Sequence, residues 1–356
     1  MEMWFSWLML IVGLVVILVG CDIFTNSIEW LGKSLDLNEG VLGSVFAAVG
    51  TALPETLIPI VAVVVGAVTG AGGGHAHDVG IGAIIGAPFM LATIAMLVTG
   101  IAVFIFSAQG RRTPVMRVNS KVLSRDIRFF LLAFAVALLS GFITSEAVRV
   151  VIAIGLLVYY AFYVYKHATD VEEGRPDPED VEELSPLHFH RSNPNPHIAV
   201  IVLQTVVGLA MIVGAASLFV EYVGDVARSL GVSPLILSLI IVPVATELPE
   251  KFNSVLWVRR SRDTLALGNI TGAMVFQSTV PVAFGIVFTE WRANAQYAPA
   301  FAQAALAIVA SALLLASMRQ QGRLNAIAML FSGVWYIVWV ILVFPLELER
   351  LVQQLF

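Results

Sequence analysis

The chain has 356 residues, 58% of them hydrophobic and 13% charged, a formal net charge of −5 and a mean hydropathy of +0.89. This composition excludes a soluble globular domain: apolar segments of about 20 residues, enough for a helix to cross roughly 30 Å of hydrocarbon, recur along the whole length. A single cysteine, Cys21, excludes an internal disulfide and a cysteine-rich metal site.

Ten helical spans are predicted, at residues 3–30, 40–67, 79–106, 127–142, 146–167, 197–222, 233–258, 264–289, 296–317 and 324–346. The first has no basic leader and no small-residue cleavage site, so it reads as a retained helix, with Asp22, Asn26 and Glu29 forming a wet helix end. The second carries the phrase Gly50-Thr51-Ala52-Leu53-Pro54-Glu55. A Gly-rich loop, Thr69 to Asp78 with His75 and His77, is expected to be solvated. The third span holds Gly82-Ala83-Ile84-Ile85-Gly86-Ala87 and then Pro88, which is expected to kink it.

After the fifth span comes an acidic, proline-rich stretch containing Asp170, Glu172, Glu173, Asp177, Glu179, Asp180, Glu182 and Glu183. Such a segment buries too little apolar area to fold alone and reads as a linker. The spacing of its histidines, His188, His190 and His197, matches no common metal site. The seventh span carries Ala245-Thr246-Glu247-Leu248-Pro249-Glu250, and the eighth carries Gly268-Asn269-Ile270-Thr271-Gly272-Ala273. Trp4, Trp7, Trp335 and Trp339 fit interfacial belts or packing.

The predicted organisation is therefore a first five-helix repeat (1–167), an acidic cytoplasmic linker (168–196) and a second five-helix repeat (197–356). With the N-terminus outside, 15 basic residues fall on the cytoplasmic side, and only Arg149, Arg228, Arg292 and Arg350 fall outside. That asymmetry predicts a plasma-membrane protein with both termini outside. An odd number of helices per half turns the second half upside down relative to the first. The fold class expected is an all-α polytopic membrane protein, ten transmembrane helices in two inverted five-helix repeats.

Both Pro-Glu phrases lie deep in apolar segments, where a carboxylate costs at least about 2.5 kcal/mol on insertion scales, so a chain that carries two is expected to use them. Each phrase reads as a break in its helix. Pro54 and Pro249 leave the carbonyls of Gly50 and Ala245 without their helical donors. Thr51 and Thr246 add hydroxyls beside these carbonyls, and Glu55 and Glu250 add anionic oxygens. An all-oxygen set with no sulfur or imidazole favours Ca2+, Na+ or Mg2+, or exchange of a cation for protons. Glu247 and Lys251 are four apart in the favourable order for an ion pair. That pair is structural, or a tethered switch that releases Glu247 to the ion, or does not form because Lys251 snorkels to the lipid or surface. Asn253, Asn269 and Gln277 are candidates for the same cavity or for polar contacts between helices. The paired glycines serve close helix packing at least as well as ion contact.

Two such phrases in inverted positions, each followed by a glycine-patterned helix, resemble the two alpha repeats of the cation/calcium antiporter superfamily, sodium/calcium exchangers in particular. The resemblance implies alternating access, with Glu55, Glu250, Thr51 and Thr246 at the motif's binding positions. It also implies that the first two helices of each half slide against the other eight. The chain departs from the motif at Ala52, Glu247, Ala87, Ala273 and Leu91, so that several oxygens resembling the family's sodium ligands are missing, while Glu247 puts a carboxylate in place of a hydroxyl; in the second half Gln277 supplies an amide. The function expected is secondary antiport of a divalent cation, Ca2+ foremost, for Na+ or H+. Its partners would be membrane lipid and inorganic cations, without nucleic acid or a prosthetic group. Proton-coupled exchange with little use of Na+, a channel, and a non-transporting membrane sensor are the competing readings. An enzyme is disfavoured, because no Ser/His, Cys/His or histidine metal-ligand arrangement lies within the spans.

Overall fold

The computed structural model describes residues 3–34, 56–64, 75–169, 185–321 and 324–355. These residues form α1 (Met3–Ser34), α2 (residues 56–64), α3 (Ala76–Met90), a π turn (Leu91–Ala95), α4 (Met96–Ala108), α5 (Ser120–Ser140) and α6 (Glu146–Thr169). After the linker come α7 (Ile198–Leu230), α8 (Pro234–Arg259), α9 (Asp263–Gln277), α10 (Val280–Phe288), α11 (Ala298–Gln321) and α12 (Ala326–Leu355). Among the described residues seven helical stretches are long and apolar enough to cross a membrane: Met3–Leu31, Ala76–Ala108, Glu146–His167, Ile198–Leu230, Asp263–Phe288, Ala298–Met318 and Ala326–Val343. Large apolar side chains such as Val151, Phe162, Phe331 and Ile341 project outward from α6 and α12. An apolar exterior of this kind suits hydrocarbon and not water. The chain is a multi-pass membrane protein.

Helix ends follow local chemistry. Asn119 accepts hydrogen bonds from the backbone N–H groups of Lys121 and Val122 at 3.2 and 3.4 Å, which starts α5 at Ser120, ahead of the predicted start at 127. Ser233 caps α8 by accepting from Ile236 N at 3.3 Å, with Pro234 at the first helical position. Gly231 closes α7 with φ of 67°, a left-handed conformation that glycine adopts at little cost.

Packing divides the bundle in two. α1 lies along α7, and Leu10, Ile17 and Phe24 share a core with Ile212, Ala216 and Phe219. Ile58 of α2, Val79 and Ala83 of α3, and Leu237 and Val242 of α8 complete this core. α3 to α6 and α8 to α12 form a second, larger core. α3 runs through the middle, buried on nearly every side, as the apolar sequence from Val79 to Met90 requires.

Proline interrupts both glycine-bearing helices. Pro88 removes an N–H from α3, and the chain then widens into the π turn, where Leu91 N–H is shared between Ala87 O and Pro88 O. The expected kink takes this form. Pro281 follows the gap between α9 and α10, where the Thr279 hydroxyl donates to Val275 O at 2.8 Å and the Ser278 hydroxyl to the same carbonyl at 3.0 Å.

Two polar assemblies tie the loops down. Arg112 grips Asp263 with both terminal nitrogens, at 2.8 and 2.9 Å, and Arg117 N donates to the same carboxylate at 2.7 Å. Beside this clamp β1 (Val115–Met116) pairs antiparallel with β2 (Leu324–Asn325). At the other assembly, Ser185 to His190 dock on α1 and α7. Trp30 Nε1 donates to Ser185 O at 2.9 Å, His188 N to Asn26 Oδ1 at 3.1 Å, and Phe189 N to Gln204 Oε1 at 2.9 Å. Asn26 is therefore a buried anchor and not part of a wet helix end. This part of the linker is ordered because fixed side-chain donors and acceptors satisfy its backbone.

Candidate cation site

The second Pro-Glu phrase lies inside α8, which runs unbroken from Pro234 to Arg259. The break expected there is absent. A single proline removes one N–H, and the bonds around it carry the helix through. The discontinuity falls one helix away, at Ser278 and Thr279, directly after Gln277.

Two predicted site side chains in α8 are described and buried. Thr246 donates its hydroxyl proton to Val242 O at 3.0 Å, which turns its lone pairs outward as acceptors. Glu247 has no exposed surface, and the side-chain amide of Gln277 donates to its Oε1. Gln277 is the last residue of α9 and 1% exposed, with no hydrogen bond to its Oε1 among the described residues. The contact puts a buried carboxyl group beside a side-chain amide, with a threonine next to it in sequence; carboxylate, amide and hydroxyl oxygens are the kinds that ligate hard cations. Ser254 Oγ donates to Ala266 O at 3.2 Å and holds α8 against α9 farther along.

The remaining predicted residues are placed as follows. Gly50, Thr51 and Glu55 lie outside the described residues. Ala245, Glu250, Lys251 and Asn253 belong to α8, with their side chains outside the description, so the predicted Glu247–Lys251 pair is likewise outside it. Asn269 is half-buried on α9. Gly82 and Gly86 act through packing: a Cβ on Gly82 would meet Ser238 Oγ at 1.9 Å, and one on Gly86 would meet Leu239 O at 2.8 Å. These glycines bring α3 onto α8, the helix of Thr246 and Glu247. Leu91, where the resemblance led one to expect an oxygen, sits in the apolar core, and Ala87, at another such position, is buried.

Two features escaped the sequence reading. Asp126, one residue before the predicted fourth span, is a buried carboxylate that accepts from Thr271 Oγ1 of α9 at 2.9 Å. Its signal was a lone Asp just ahead of the apolar run Phe129 to Leu139. Arg112, counted as a loop charge, is a buried clamp on the first residue of α9.

The family of sodium/calcium exchanger proteins matches residues 5–166 and 200–344. The chain belongs to this family. Among relatives of this exchanger, the "Putative antiporter CaxA" of Alkalimonas amylolytica is 24% identical over 334 residues, 92% of this chain and 95% of that protein. The "Sodium/calcium exchanger MaX1" of Methanosarcina acetivorans is 23% identical over 289 residues, 76% of this chain and 79% of that one. A solved structure of the sodium-calcium exchanger NCX_Mj, soaked with 100 mM Na+ and 10 mM Sr2+, matches with a TM-score of 0.56 and 21% identity over 95% of this chain and 98% of that one. At that identity the match shows a shared fold.

Proposed function

We propose that this exchanger-family chain carries a divalent cation, Ca2+ foremost, across the plasma membrane in exchange for Na+ or H+ by alternating access. The observation that carries the proposal is Glu247, a carboxylate with no exposed surface, next to a motif threonine and held by Gln277. Burying such an anion costs on the order of several kcal/mol, and a bound hard cation offsets that cost. Glu55, Glu250 and Glu247 would supply the charge, Thr51 and Thr246 the hydroxyls, Gly50 and Ala245 the carbonyls. Gln277, Asn253 and Asn269 would flank them, with Lys251 as the charge partner. The names of the relatives, an antiporter and a sodium/calcium exchanger, support the same direction.

The reading includes ten spans in two inverted halves, with both termini outside and the linker in the cytoplasm. In its favour, the two family matches lie on either side of the linker. The offset that superposes Gly82 on Gly268, 186 residues, also pairs Leu91, where the π turn begins, with Gln277, where α9 ends. The missing side-chain oxygens at Ala87 and Leu91, the latter in the apolar core, favour protons over Na+ as the coupling ion.

The test is Ca2+ uptake into proteoliposomes energised by a sodium gradient alone or by a pH gradient alone. Uptake driven by at least one gradient is expected, with the pH gradient the stronger. Equal uptake without either gradient would indicate a channel, and no uptake under any gradient would remove the transport reading.

A further inference from the structure

Asp126 on α5 is a carboxylate only 2% exposed, to which the exchange reading gives no task. Groups from three helices stand around it. Tyr163 of α6 donates to Oδ1 at 3.2 Å, Thr271 of α9 donates to Oδ2 at 2.9 Å, and Arg125 Nε stands 3.8 Å from Oδ1. Arg125 is itself held by α6, with its Nη2 2.8 Å from His167 Nδ1. A buried carboxylate persists where it is paired and hydrogen-bonded. Here those bonds join α5, α6 and α9 at one point. The α9 backbone comes close to α6 at the next residue as well: a Cβ on Gly272 would lie 3.9 Å from Tyr163 Oη.

The position of Thr271 on α9 gives this junction a consequence. At about 100° and 1.5 Å per residue, Thr271 and Gln277 stand roughly 120° apart round the axis and about 9 Å apart along it. One side of α9 is thus held by Asp126 through Thr271, and another meets Glu247 through Gln277. The half-buried positions Gly268, Asn269, Gly272 and Ala273 fill the wider arc on the opposite side of the helix. The Arg112–Asp263 clamp and the Ser254–Ala266 bond hold the start of α9, and the Thr271 and Gln277 bonds, on different sides, hold its end; losing the Thr271 bond removes the hydrogen-bond restraint that opposes roll nearest Gln277.

We propose that Asp126 is a positioning residue for exchange: by holding Thr271 it sets the rotation of α9 and so aims Gln277 at Glu247. The geometry stands by itself, while its consequence for transport rests on the function proposed above. The test uses the full chain with Cys21→Ser, which removes its one cysteine. Single cysteines are placed in turn at positions 268, 269, 272 and 273, and their labelling rates with a thiol reagent in membrane vesicles are compared with and without Thr271→Val. A rolled helix changes the rates at 268 and 272 at least threefold in one direction and those at 269 and 273 in the other, and Thr271→Ser restores the original pattern. In the Cys21→Ser parent, Thr271→Val should also raise the KM for Ca2+ several-fold while the maximal rate stays within twofold. Unchanged labelling, a uniform rise at all four positions, or a roll without a change in KM would overturn the proposal. A parent chain that takes up no Ca2+ removes the exchange reading instead, and labelling still decides whether Asp126 sets the rotation of α9.

Discussion

Replacing Gly86 by alanine isolates the contact that brings α3 onto α8. A Cβ at this position would lie 2.6 Å from Pro243 Cγ, 2.8 Å from Leu239 O and 3.3 Å from Leu239 Cα. Carbon atoms in contact normally stand about 3.5–4.0 Å apart, so the new methyl intrudes by about 1 Å. Neither a proline ring nor a helical carbonyl can swing aside, and the two helices must part. Overpacking of this kind costs about 1–3 kcal/mol, against a gain of about 1 kcal/mol from replacing glycine in a helix. A net loss of up to about 2 kcal/mol is expected. Gly155 of α6 is the matched control: a Cβ there meets nothing within 4 Å, so Gly155→Ala should be neutral or stabilising by up to about 1 kcal/mol. Unfolding of the two purified variants in detergent compares them directly. Because Pro243 lies one turn before Thr246 and Glu247, Gly86→Ala should also weaken Ca2+ uptake at low Ca2+. If Gly86→Ala is as stable as Gly155→Ala, the close approach of α3 and α8 is not as described.

Other substitutions separate structural from ion-binding roles. Asp263→Ala strips a buried arginine, Arg112, of its two-pronged partner and should destabilise the protein by about 3–5 kcal/mol in the same unfolding assay; a loss under 1 kcal/mol would mean the clamp is weak. Gln277→Met keeps the bulk but removes the amide that donates to Glu247. A hydrogen bond to a charged group is worth about 1.5–3 kcal/mol, so the KM for Ca2+ should rise about tenfold or more with the fold intact. An unchanged KM would remove Gln277 from the site.

Much of the fold was legible because hydrophobic length and local capping are written in contiguous sequence. A junction was expected between the spans 197–222 and 233–258, and the structure closes α7 at Gly231 and opens α8 at Ser233 for ordinary capping reasons. Pro88 was expected to bend its helix, although a proline alone does not specify a π turn. What the sequence hid were contacts made across long separations. Glu247 was read against Lys251, four residues on, because helical periodicity exposes only local pairs; its contact with Gln277 spans 30 residues. The Asp126–Thr271 and Arg112–Asp263 contacts span 145 and 151 residues, and no local pattern announces them. The break assigned to Ala245–Glu250 overestimated one proline inside a long helix, while the discontinuity before Pro281 was missed because the predicted eighth span ran straight through it.

The central claim is that the two Pro-Glu carboxylates bind the transported cation. Ca2+ uptake into proteoliposomes should be measured for Glu55→Gln and Glu250→Gln, each against the unmodified chain at equal reconstituted amounts. The account predicts that either substitution lowers uptake by about 100-fold or more, the order expected when one charged ligand worth about 3 kcal/mol is lost. Uptake at the unmodified level in both variants would contradict it.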